Sequence, residues 1–142
     1  MMPNQKTATF TDLIARKLER EQRREKTYEI PVRGMERPLM MTHPSAQAQL
    51  ELMEEVRTAE GLADVAELYV SLIYDCCPLF RQKETQEALE AVDPYDAIRS
   101  VFEPLEIIDI GDRFCRACGI TDEQGSAEGE KKPHDLIEKV KN

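Results

Sequence analysis

A chain of 142 residues has room for one domain built on one hydrophobic core of modest size. Its 28 Asp and Glu outweigh 19 Lys and Arg to give a formal net charge of −9. Such an acidic chain is a poor candidate for nucleic acid as main partner, because phosphate binding needs a concentrated positive field. No basic region followed by an apolar run opens the sequence, so a cytoplasmic protein is expected, with its four cysteines as thiols rather than disulfides. The charge is also uneven. Residues 1–41 carry nine Lys/Arg against six Asp/Glu, whereas residues 42–142 carry ten against twenty-two, which suggests a basic arm beside an acidic body.

After a loose N-terminus over residues 1–8, Thr9 and Asp12 have the spacing of a helix N-cap and its reciprocal partner. Phe10, Leu13, Ile14 and Leu18 follow as a thin apolar stripe, expected to dock on the body. From Glu19 to Lys26 there is no apolar residue, so this half is expected to be solvated or to wait for a partner, held helical by pairs such as Glu19–Arg23. Next, Tyr28, Ile30 and Val32 alternate with polar residues as one face of a strand. Gly34 supplies a turn, and Arg37–Met41 returns as a second strand, with Pro31 and Pro38 confining both to the edges of a very small sheet. From Pro44 a helix is expected, with Ala46, Leu50, Met53 and Val56 on its inner face and Glu51, Glu54 and Glu55 opposite.

The stretch Leu62–Cys77 is the one around which the fold is expected to form. Its polar residues Asp64, Glu67, Ser71 and Asp75 fall on one narrow strip, and apolar residues cover most of the remaining circumference. At sixteen residues with three charges, it is too short and too polar to be a membrane span. Pro78 ends it. A polar helix is expected over Gln82–Val92, anchored by Leu89 and Val92. Asp93-Pro94 then restarts the chain as N-cap and first helical residue, with Tyr95, Ile98, Val101 and Phe102 facing inward. A last helix follows Glu103-Pro104, with Ile107, Ile110, Phe114, Ala117 and Cys118 on its inner face. Gly111 there admits a close neighbour, and Gly119 serves as C-cap. Residues 121–142 are expected to form a polar, flexible tail with one short apolar trio, Leu136, Ile137 and Val140, too little to hold a helix alone.

The fold class expected is therefore mainly α: about five or six helices around Leu62–Cys77, with a small N-terminal β-hairpin, in one domain over residues 1–120.

Candidate chemistry is sparse. Cys115 and Cys118 have the spacing of half a zinc site, and Cys76 with Cys77 would have to supply the rest, although that pair is adjacent rather than spaced. A small zinc-binding regulatory domain is thus the alternative reading, against core packing of all four thiols. His43 and His134 are expected to be exposed and leave no Ser-His or Cys-His arrangement with a convincing base. The carboxylates of the central strip read as a solvated face, and no phosphate loop or HExxH motif occurs. The run Arg16–Lys26, with six basic and three acidic residues and no aromatic, is a weak nucleic-acid signal centred on Arg20, Arg23 and Arg24. It reads better as a protein-binding arm. No catalytic residue and no cofactor are expected.

In order, these elements resemble the XkdN-like tail assembly chaperones of long-tailed bacteriophages and prophages. The likeness runs from about Phe10 to Ile120. Its most specific part is Asp93-Pro-Tyr-Asp96, then Phe102-Glu-Pro-Leu-Glu-Ile-Ile107, Gly111 and Cys118-Gly-Ile120. The resemblance implies a non-enzymatic protein that binds the tape measure protein before the tail tube polymerises round it. It implies action in the bacterial host cytoplasm and absence from the mature virion. Other tail proteins and a second copy of the chain are further partners it leaves open; nucleic acid and membrane are not among them.

Overall fold

Eight of the fifteen residues of α3 (Leu62–Cys76) are buried, and the rest of the chain is arranged around them. The computed structural model describes residues 7–120. Residues 1–6 of the expected N-terminal arm, and the whole expected tail with its apolar trio and His134, lie outside the described residues.

Chain order is α1 (Phe10–Arg24), β1 (Thr27–Ile30), β2 (Leu39–Thr42), α2 (Ala46–Thr58), α3, α4 (Pro78–Arg81), α5 (Lys83–Ala88), α6 (Pro94–Val101) and α7 (Pro104–Cys118). The mainly helical class with one small hairpin is the observed architecture. Seven helical segments are present among the described residues, because Pro78 both stops α3 and opens a single turn, α4, that buries Phe80.

The strands pair antiparallel, with Thr27 opposite Thr42 and Ile30 opposite Leu39. Tyr28, Ile30 and Val32 are buried as the alternation requires, and Leu39 and Met41 complete the same face. A two-stranded ribbon is marginal in water by itself. Here it lies on α7, where Tyr28 meets Phe114 edge to face at 5.8 Å, and on α3, where the Thr42 hydroxyl donates to the Cys76 carbonyl at 3.2 Å.

The closest helix contact is α3 with α7. Tyr69 of α3 is fully buried, and its ring lies flat against Gly111 of α7, so closely that a Cβ at Gly111 would overlap the ring. The Tyr69 hydroxyl donates to Asp112 Oδ1 at 2.9 Å, giving the buried phenol its partner. Gly119 at φ 88° ends α7 as a left-handed C-cap. Arg99 ties α6 to α3 by bonds to Glu67 of 2.6 and 3.3 Å while also holding Asp96 at 2.7 Å. Two other aromatic pairs close the far end, Tyr74 with Tyr95 and Phe80 with Phe102.

Several expectations are corrected. On α2 the buried residues are Leu52 and, as expected, Val56, with Met53 and Ala48 half-buried, whereas Ala46 and Leu50 are exposed; the helix is turned so that Leu52 faces α3. The polar helix of residues 82–92 shrinks to Lys83–Ala88, because Glu90 adopts φ 57° and turns the chain; Val92 anchors nothing and is 99% exposed. In α6 the inner face is Ala97 and Ile98, while Tyr95 and Val101 lie at its exposed margin. In α7 Ala117 is exposed and its place in the core is taken by Cys115. The largest correction concerns α1.

Candidate protein-binding arm

The capping box at the start of α1 forms as the sequence requires. The Asp12 amide donates to Thr9 Oγ1 at 3.3 Å and the Thr9 amide donates to Asp12 Oδ2 at 2.8 Å. Pairs along the surface, Arg16–Glu19 at 3.1 Å, Lys17–Glu21 at 3.0 Å and Arg23–Glu19 at 3.7 Å, support the turns that follow. All are exposed, so each contributes at most about half a kcal/mol.

The front half of α1 does not dock. No residue of the helix is buried, and Phe10, Leu13, Ile14 and Leu18 are 76, 65, 46 and 53% exposed. The amphipathic pattern is real, but its apolar face stays exposed instead of packing on residues 27–120. An isolated helix of this length is marginal in water, and a continuous exposed apolar stripe marks an interaction surface. What fastens the arm is its base. The His43 amide donates to the Lys26 carbonyl at 3.3 Å, prolonging the hairpin by one step, and Lys26 Nζ stands 5.4 Å from the centre of the Tyr28 ring.

Between that base and the body lies a cleft of about 600 Å³. One wall is Arg16, Arg20, Arg23 and Arg24 of α1. The other is the start of α2, from Pro44 to Gln49, and the end of α7, from Cys118 to Ile120, with His43 between them. Arg20 and Arg24 follow Leu13 at i+7 and i+11, so the arginine wall and the apolar stripe share an edge along the helix. His43, expected to be exposed, is half-buried, with Nδ1 2.9 Å from the Tyr28 hydroxyl. Its burial and the guanidinium of Arg23 both lower its pKa from the ordinary value. The basic run therefore shapes one side of a groove rather than an isolated solvated rod, which no periodicity argument could reveal.

The four cysteines occupy the core. Cys76, Cys77 and Cys115 are fully buried and Cys118 nearly so. Burial pushes the Cys76 thiol up to about 12 and the Cys118 thiol up to about 11, and raises Cys77 as well. Their surroundings hold these groups as thiols, a state opposite to that needed by a nucleophile. Among the described residues no three His, Cys, Asp or Glu side chains are grouped so as to hold a metal ion.

The strip Asp64, Glu67, Ser71 and Asp75 faces outward along α3. Asp64 accepts from the Glu60 amide at 2.9 Å, in the turn before its helix, and Glu67 is taken by Arg99. Asp75 and Glu55 of α2 both have pKa values raised, first by partial burial and then by the nearby Glu51. This is a charged seam between α2 and α3, without a convergent donor set.

Comparison with protein-family models, with curated proteins and with solved structures gives no match. Among the described residues no helix is long and apolar enough to cross a membrane.

Proposed function

We propose that this chain is a non-enzymatic tail assembly chaperone of a long-tailed bacteriophage or prophage, and that it holds helices of the tape measure protein on the stripe of α1. The observation that carries the reading is a well-capped helix whose four large apolar residues have no cover on their own domain. A protein that keeps long amphipathic helices apart until assembly needs such a surface, joined to a stable body that does not itself change. Helix-in-groove recognition reads anchors at i, i+3, i+4 and i+7 or i+8, and Phe10, Leu13, Ile14 and Leu18 have that spacing. The order of elements that resembles the chaperone family supports the tape measure protein as the partner, and the exposed stripe supports α1 as its contact.

Co-expression with the tape measure protein from the same genome tests this. The wild-type chain should hold its partner in the soluble fraction, and the double variant Leu13→Ser, Leu18→Ser should not. Burial of each leucine is worth about 1.5–3 kcal/mol, so losing both weakens the complex by two orders of magnitude or more. Absence of any complex and of any gain in partner solubility with the wild-type chain would count decisively against the reading.

A further inference from the structure

We propose that the helix received on the stripe of α1 is acidic along one flank, with carboxylates set to pair with Arg20 and Arg24. The inference rests on the reading of α1 as a helix-binding arm and adds the charge that its partner must carry.

Charge at the base of the arm runs against that of the chain. The lining of the cleft holds four arginines and no Asp or Glu, although acidic residues outnumber basic ones by 28 to 19 in the sequence. Arg16 and Arg23 share Glu19, at 3.1 and 3.7 Å, and Lys17 is taken by Glu21 at 3.0 Å. Among the described residues no carboxylate lies within ion-pair distance of Arg20 or Arg24. These two are also the arginines that adjoin the apolar stripe, at i+7 and i+11 from Leu13. The stripe beside them calls for a helix rather than a small anion, which would leave Phe10, Leu13, Ile14 and Leu18 in water.

Spacing turns the two charges into a requirement on the partner. Arg20 and Arg24 stand about 6 Å apart along the axis, four residues at 1.5 Å each. A helix lying along the stripe presents its own flanking residues at the same repeat, so side chains at i and i+4 on one flank come level with the two guanidinium groups. Aspartate or glutamate at those positions forms charge-assisted bonds with them, whereas lysine meets like charge. The body acts in the same sense. Residues 42–120 carry sixteen Asp and Glu against six Lys and Arg, so an acidic helix is repelled from the body and steered to the arm. A basic helix is drawn to the body instead, so the charge selects against the wrong surface as well as for the right one.

Two synthetic helical peptides serve as probes. Both carry leucine anchors at i, i+3, i+4 and i+8, one with glutamate and the other with lysine at the flanking positions. Each is labelled with fluorescein and titrated with the full-length chain, with binding read as fluorescence anisotropy. The glutamate peptide is expected to bind about tenfold more tightly at low salt, an advantage that shrinks as salt approaches about 1 M. In the variant Arg20→Glu with Arg24→Glu the preference should invert, and Arg20→Gln with Arg24→Gln should bind both peptides alike, with the far-ultraviolet circular dichroism of each variant unchanged as the measure of folding. Equal affinity of the wild-type chain for both peptides would overturn the acidic flank while leaving α1 as a helix-binding arm. A glutamate preference that survives both arginine variants would also overturn it, placing the contact elsewhere. So would displacement of the glutamate peptide by inorganic phosphate but not by chloride of equal ionic strength, which would reduce the cleft to an anion site. Binding of neither peptide would remove the helix-binding reading of α1 itself, and this inference with it.

Discussion

Replacing Gly111 by alanine sets two effects of opposite sign against each other. In an exposed helix interior the change would stabilise by about 1 kcal/mol, since glycine loses more backbone freedom than alanine. Here the new Cβ overlaps the ring of Tyr69, which is fully buried. Overpacking of this kind costs about 1–3 kcal/mol. If the ring moves to relieve it, the 2.9 Å bond to Asp112 breaks and leaves a buried hydroxyl unpaired, a further 1–3 kcal/mol or so. The net expectation is a loss of about 2–3 kcal/mol. The chain contains no tryptophan, so urea unfolding is followed by far-ultraviolet circular dichroism. With an m-value of roughly 1.5–2 kcal/mol/M, the midpoint falls by between about 1 and 2 M. In a Tyr69→Ala background the obstacle is gone, and Gly111→Ala should turn neutral or mildly stabilising. A stabilising Gly111→Ala in the wild-type background would refute the close approach of α7 to α3.

Other outcomes follow from the same geometry. Thr9→Ala removes the hydroxyl half of the α1 capping box while the residue-9 amide keeps its bond to Asp12, a loss of about 1 kcal/mol that should accelerate exchange of the first-turn amides while leaving the global unfolding midpoint unmoved, because the arm buries nothing. Glu55 and Asp75 have raised pKa values in the fold, so the strain of their charged forms is fully present above the folded pKa and disappears as pH falls toward the unfolded value. Glu55→Gln, which also relieves its i,i+4 repulsion with Glu51, should therefore stabilise by about 0.3–0.5 kcal/mol at pH 7 and by nothing near pH 4, as read from paired urea titrations. His43 has the opposite sign: its lowered pKa costs stability as pH drops below about 6.5, and His43→Gln should flatten that part of the stability–pH curve. The buried thiols Cys76, Cys77, Cys115 and Cys118 should resist a disulfide reagent at pH 8 in the native protein and react together in guanidinium; rapid reaction of any one before unfolding would contradict their burial.

Local signals determined a large part of this architecture without any tertiary information. The apolar circumference of Leu62–Cys76 could be satisfied only at the centre of the domain, and it is there. Thr9, Asp93 and Gly119 act as caps because capping is a contact between neighbours in sequence, and Tyr28, Ile30 and Val32 share a face because pleating alone demands it. Gly111 was legible as a point of close approach, though not as the seat of Tyr69 in particular.

The tertiary structure decided what periodicity cannot: which apolar faces meet a counterpart. Hydrophobic spacing says where a helix is able to bury itself, and on α1 the same spacing as a docked helix stands exposed. On α2 the packing buries Leu52, which was not expected on the inner face, and leaves Leu50 exposed. The cleft joins α1, the start of α2 and the end of α7, segments far apart in the chain, so its arginine wall became a groove only when folding brought them together.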